Sequence, residues 1–120
     1  MEKISVDQLF NHYSSYADKY VYVEGFYDGG YLYVDEKKDI NQRIYIPYGH
    51  TLDLDNYLLR MNKNDYQGYI RVLGMAGNKM YSRKNIDRIV KVELLDENKN
   101  VINFFVNNKI PLPKELRGKI

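Results

Sequence analysis

The stretch Tyr20-Val21-Tyr22-Val23-Glu24-Gly25-Phe26-Tyr27-Asp28-Gly29-Gly30-Tyr31-Leu32-Tyr33-Val34-Asp35 decides the fold. Side chains alternate with a period of two on either side of Asp28-Gly29-Gly30, residues that tolerate the positive φ of a tight hairpin turn. Two antiparallel strands follow. Whether the turn centres on Asp28-Gly29 or on Gly29-Gly30, even-numbered residues of the first strand lie beside odd-numbered residues of the second. Val21, Val23, Leu32 and Val34 then form an aliphatic side suited to an interior, and Tyr22, Glu24, Phe26, Tyr31 and Tyr33 form the outward side.

Working outward from this hairpin, the charged Glu36-Lys37-Lys38-Asp39 reads as an exposed turn, and Gln42 to Ile46 alternates again before Pro47 stops it. From Thr51 to Met61, Leu54, Leu58 and Met61 share one helical face, with Thr51 or Asp53 as its cap. Tyr69 to Leu73 is a fourth strand, Gly74 to Lys79 a loop, and Ile86 to Leu95 a fifth strand. Val101 to Val106 adds a sixth, with Phe104 or Phe105 expected to pack on the domain. Upstream, Val6, Leu9, Phe10 and Tyr13 have helical spacing behind a Ser5-x-x-Gln8 capping box, which predicts a helix of about three turns. Pro111 onward, with two prolines and few apolar anchors, is expected to be an extended tail at 111–120 following a single domain at 1–110.

The totals agree with one small globular domain. The 120 residues are 44% hydrophobic and 28% charged, too apolar for wholesale disorder. The 13 tyrosines favour a sheet-rich chain whose aromatic faces need not be fully buried. A net charge of +2 permits a polyanion partner without pointing to one. The absence of cysteine excludes disulfides, thiolate metal sites and a cysteine nucleophile, and fits a cytoplasmic home. Nothing in the opening Met1 to Asp7 has the apolar run of a signal peptide, and no stretch is a membrane span.

A helix, three antiparallel strands, a helix and two strands is the connectivity of the oligonucleotide/oligosaccharide-binding (OB) barrel, here with an extra C-terminal strand. The opening, Val6-Asp7-Gln8-Leu9-Phe10 followed by Lys19-Tyr20-Val21-Tyr22-Val23-Glu24-Gly25, resembles nucleic-acid-binding OB domains of the anticodon-binding type. The resemblance runs from about Ser5 to Leu95 and implies a mainly β, five-stranded antiparallel barrel. It bears on fold more than on function, because this fold hosts many unrelated activities.

One constellation points to function. With Ile44, Ile46, Ile70 and Val72 directed inward, Arg43, Tyr45, Tyr69 and Arg71 join Tyr22, Phe26, Tyr31 and Tyr33 outside, and Lys91 adds a further cation. Rings interleaved with cations suit single-stranded nucleic acid, because bases stack on rings and phosphates meet cations. The same face reads equally as ordinary packing covered by a terminal segment, or as a protein-docking surface, since Tyr and Arg also dominate interface hot spots. Gly25 is expected to mark a bulge or the sharp coil of a closing barrel. Asp53 and Asp55 read as caps, and His12 and His50 as surface histidines without metal spacing. No nucleophile elbow, phosphate loop or zinc motif is present, so neither catalysis nor a cofactor is expected.

Overall fold

In the computed structural model, which describes residues 1–47, 66–77, 83–109 and 111–118, the elements follow in the order β1 (Lys3–Ser5), α1 (Val6–Asn11), α2 (Tyr13–Tyr16), β2 (Tyr20–Asp28), β3 (Tyr31–Tyr33), β4 (Arg43–Tyr45), β5 (Gly68–Ala76), β6 (Ile86–Leu95) and β7 (Val101–Val106). The protein is mainly β, and the described strands form one sheet whose antiparallel path runs β4-β3-β2-β5-β6-β7, with β1 added in parallel to β2. That path is open. Among the described residues β4 meets the residue before β6 at a single parallel bridge, Tyr45 to Asn85, where the Tyr45 N–H donates to the Lys84 carbonyl at 2.9 Å. The helix expected over Thr51 to Met61 lies outside the described residues. Among the described residues no helix is long and apolar enough to cross a membrane.

The alternation of β2 is realised in its burial: Val21, Val23, Gly25 and Tyr27 are buried, and the even-numbered residues between them are half-buried. Gly29 and Gly30 carry φ of 56° and 87°, so they form the turn and Asp28 pairs with Tyr31. β2 is shared along its far edge with β5 over all but its last residue, from Tyr20↔Met75 to Tyr27↔Gly68. Its near edge is divided between β1, at Lys3↔Tyr22 to Ser5↔Glu24, and β3, at Phe26↔Tyr33 onward. Inside this wrap Val23, Leu32, Ile44, Ile70, Val72 and Leu94 are almost wholly buried. Each such side chain contributes about 1.5–3 kcal/mol relative to exposure.

Several local expectations are corrected. The N-terminal segment begins as a strand, and its helix is broken in two at His12, whose φ of −125° and ψ of 30° leave the helical region. α1 buries Val6 and Leu9, while α2 is turned so that the Tyr13 hydroxyl donates to the carbonyls of Gly77 (2.6 Å) and Asn85 (2.9 Å). It also accepts the Asn85 N–H at 3.2 Å. Only half of the capping box forms: Ser5 Oγ accepts the Gln8 N–H at 3.2 Å, but the Gln8 side chain donates to the Tyr16 hydroxyl instead. Of the loop expected over Gly74 to Lys79, Gly74 to Ala76 instead continue β5 and 78–79 lie outside the described residues; a Cβ at Gly74 would sit 2.7 Å from Ile86 Cγ2 and 2.8 Å from the Asp87 carbonyl, a close approach only glycine allows. Gly25 likewise marks a close approach and not a bulge, with Val6 Cγ2 at 2.5 Å and the Tyr33 carbonyl at 2.7 Å from where its Cβ would be.

At the C-terminus, β7 pairs with β6 from Lys91↔Val106 to Leu95↔Val101, and Phe105 is half-buried opposite Val92 while Phe104 is 58% exposed. The segment beyond Pro111, expected as an extended tail, instead makes a turn of 3-10 helix at Lys114–Leu116. Leu116 is fully buried there against Leu73 and Val90, with Tyr20 and Tyr22 beside it. One leucine with apolar neighbours suffices to seat a segment that reads as polar overall.

Candidate binding face

The pairing register fixes which outward side chains meet. Tyr22 stands opposite Leu73 and Leu73 opposite Lys91; Glu24 stands opposite Arg71 and Arg71 opposite Glu93. Further along, Phe26 lies between Tyr69 and Tyr33, Tyr33 beside Arg43, and Tyr31 beside Tyr45. The nine residues expected outside therefore share one side of the sheet, but they divide into two ends with different electrostatics.

At the first end Arg71, Lys3 and Lys91 each have a carboxylate. Arg71 Nε donates to Glu24 Oε1 at 3.0 Å, its side chain is only 19% exposed, and its other branch donates to the Lys99 carbonyl at 3.0 Å. Lys3 joins the same Glu24 oxygen at 3.3 Å. Lys91 lies 3.8 Å from Glu93, which also accepts the Tyr22 hydroxyl. Burial pushes the Glu24 carboxyl up, but the hydrogen bonds from Arg71 and Lys3 outweigh it and hold the group below the usual carboxylate range. Burial and the bond to Glu93 raise the Tyr22 hydroxyl. Tyr69 is tied in the same way: it donates to Glu36, which raises its own pKa and lowers that of Glu36, and Lys99 Nζ sits 3.2 Å above its ring. Phe26 meets Tyr69 edge-on at 5.3 Å. Leu116 covers this end at Tyr22.

At the second end the cations stand on rings. The Arg43 guanidinium lies 3.8 Å above the Tyr31 ring, and its NH1 is 3.4 Å from the Tyr33 hydroxyl. Tyr33, expected to face outward, is on this side but buried, being roofed by Tyr31 at 6.2 Å and by Arg43. Tyr31 and Tyr45 lie 5.5 Å apart at 46°. Arg83 sits 4.5 Å above the Tyr45 ring and donates to the Tyr31 hydroxyl. Lys84 lies 3.8 Å above Phe10 and donates to the Phe10 carbonyl at 2.7 Å. These side chains line an open cleft of about 420 Å³, completed by Ile40 and Asn41. None of Arg43, Arg83 and Lys84 is ion-paired with a described carboxylate.

Of the residues expected from sequence, Tyr31, Arg43 and Tyr45 enter the cleft, Tyr33 lies beneath it, and Tyr22, Phe26, Tyr69, Arg71 and Lys91 belong to the tied end. Phe10, Arg83 and Lys84 were not anticipated. They reach the cleft because α1 packs against β4 and because the residues before β6 meet β4 at the Tyr45–Asn85 bridge, a contact between positions 40 apart that local periodicity does not encode. Comparisons of this chain with protein-family models, with curated proteins and with solved structures found no match.

Proposed function

We propose that the chain is a non-catalytic module of OB type that binds single-stranded nucleic acid at the Tyr31–Tyr45 cleft. The barrel reading is supported by the order in which strands neighbour one another: β2, β3, β4, then across the Tyr45–Asn85 bridge to β6, β5 and back to β2. That circuit has the meander and the parallel closing contact expected of such a barrel, with β1 and β7 as additions. The functional reading is carried by one observation, a group of three cations free of any described carboxylate, with Arg43 and Arg83 standing on a pair of tyrosines and Lys84 on Phe10. Base stacking is worth about 1–3 kcal/mol. A cation on an exposed ring is worth about 0.5–1 kcal/mol, so a base can displace Arg43 or Arg83 from its ring and leave the guanidinium to a phosphate.

Fluorescence titration with labelled single-stranded oligonucleotides tests this. Binding is expected to weaken with salt by about 0.7 per phosphate neutralised on a log-log plot, hence a slope of about −2 if each of the three cations engages its own phosphate and a shallower one if they share a phosphate. No binding at tens of micromolar protein sinks the reading. A second reading, a protein-interaction module, draws on a different observation: β7 exposes Val101, Ile102 and Phe104 at 42%, 58% and 58%. Exposed apolar side chains on the last strand of the path suit a protein partner. A stoichiometric complex that survives nuclease treatment and is lost in Ile102→Asp would favour it.

A further inference from the structure

Continuing the single-strand reading and depending on it, we infer that the cleft takes one phosphate-terminated nucleotide, at the free end of a strand or as a mononucleotide, and not a continuous run of strand. Three features lead there. The first is size: about 420 Å³ lies at the low end of the roughly 300–1,000 Å³ of small-molecule sites, room for one base and its phosphate. The second is charge. A phosphodiester inside a strand carries one negative charge, whereas a terminal phosphate monoester carries about 1.5 to 2 at neutral pH. Arg43, Arg83 and Lys84 gather three positive charges in one cleft with no carboxylate among its described lining residues, a match for the second.

The third feature is what borders the cleft. A strand continuing across the sheet from Tyr31 and Tyr33 would meet Glu36 on Tyr69, then Glu24 on Arg71, then Glu93 between Tyr22 and Lys91. Arg71 and Lys91 along that route already belong to carboxylates, Lys99 is seated on the Tyr69 ring, and each carboxylate opposes a phosphate. The tied end thus acts as an electrostatic stop. Contact is confined to one or two nucleotides, against the roughly 4–16 that OB folds commonly occupy.

The deciding experiment is a competition titration with five probes: an oligothymidylate phosphorylated at one end, its isomer phosphorylated at the other, the same oligomer with hydroxyl ends, circular single-stranded DNA, and thymidine monophosphate. A terminal phosphate on at least one end is expected to tighten binding roughly tenfold over the hydroxyl-ended oligomer and the circle. Competition by the monophosphate would show that a free nucleotide suffices; its failure beside a tight phosphorylated oligomer would assign the site to strand ends. Arg83→Gln, at an exposed position, is expected to abolish the phosphate preference while the thermal melt stays unchanged. Equal binding of circle and phosphorylated oligomer overturns the end-specific inference and leaves the single-strand reading standing, as does a preference that survives Arg83→Gln. Failure of every probe overturns both.

Discussion

The two ends of the outer face are built from the same residue types and do opposite things with them. At the Tyr22 end, Arg71 and Lys91 are held by Glu24 and Glu93, and the tyrosine hydroxyls donate to carboxylates. At the Tyr31 end, Arg43 and Arg83 rest on tyrosine rings, and the ring hydroxyls face guanidinium groups. An arginine near a tyrosine is therefore not by itself a ligand group. What decides is the residue opposite it on the next strand: Glu24 for Arg71, and Tyr33 for Arg43.

This contrast can be broken most directly by binding. Arg43→Gln is expected to lower oligonucleotide affinity by about tenfold, the loss of one charge-assisted contact, whereas Arg71→Gln should change it less than about threefold. Equal losses measured in parallel titrations would erase the distinction between the ends. Stability should separate them the other way. Leu116→Ala removes the one fully buried anchor of the C-terminal turn, and is expected to cost about 1.5–3 kcal/mol, read as a fall of several degrees in Tm, with affinity unchanged. An unchanged melt would mean that the turn does not hold the Tyr22 end.

A smaller effect sharpens the comparison. Glu24→Gln removes the carboxylate that occupies Arg71, and is expected to steepen the salt dependence of oligonucleotide binding by about 0.7 as that cation becomes available. A slope identical to wild type would show that Arg71 stays out of reach for another reason, such as its bond to the Lys99 carbonyl. The smallest effect is in pH. Because the folded-state pKa of Glu24 lies below its unfolded value, the ion pair contributes stability that is full above the unfolded pKa and is lost as pH falls through the folded one. Melts taken down through the acid range should show Glu24→Gln losing less stability than wild type; parallel curves would remove the ion pair from the account.

Much of the sheet was legible because period and turn chemistry are local. Asp28-Gly29-Gly30 set the β2–β3 register, and Val21, Val23 and Leu32 are buried as the alternation requires. The bounds of β6 and β7 coincide with the expected Ile86 to Leu95 and Val101 to Val106. The register between β2, β5 and β6 was not legible, since no tight turn connects β2 to β5, and that register is what pairs Glu24, Arg71 and Glu93. The site divided accordingly. Tyr31, Arg43 and Tyr45 followed from alternation, whereas Arg83 and Lys84 precede a strand, have no period to betray them, and depend on a bridge formed across 40 positions. Leu116 escaped for a related reason: one apolar residue among prolines and charges gives no pattern, and only the Leu73–Val90 surface gives it a place.

The bridge between Tyr45 and Asn85 has a dynamic corollary. Neighbouring strands are joined by ladders of three to eight pairs, whereas among the described residues these two segments share one pairing, so local opening should begin there and its amides should exchange with solvent sooner than those of β2 or β5. Tyr31, Arg43 and Tyr45 lie on one lip of this opening, Arg83 and Lys84 on the other. A ligand that touches both lips binds only the shut conformation. Occupancy and closure are then one equilibrium, and slowed exchange at Tyr45 would report binding from the protein's side without any label on the ligand.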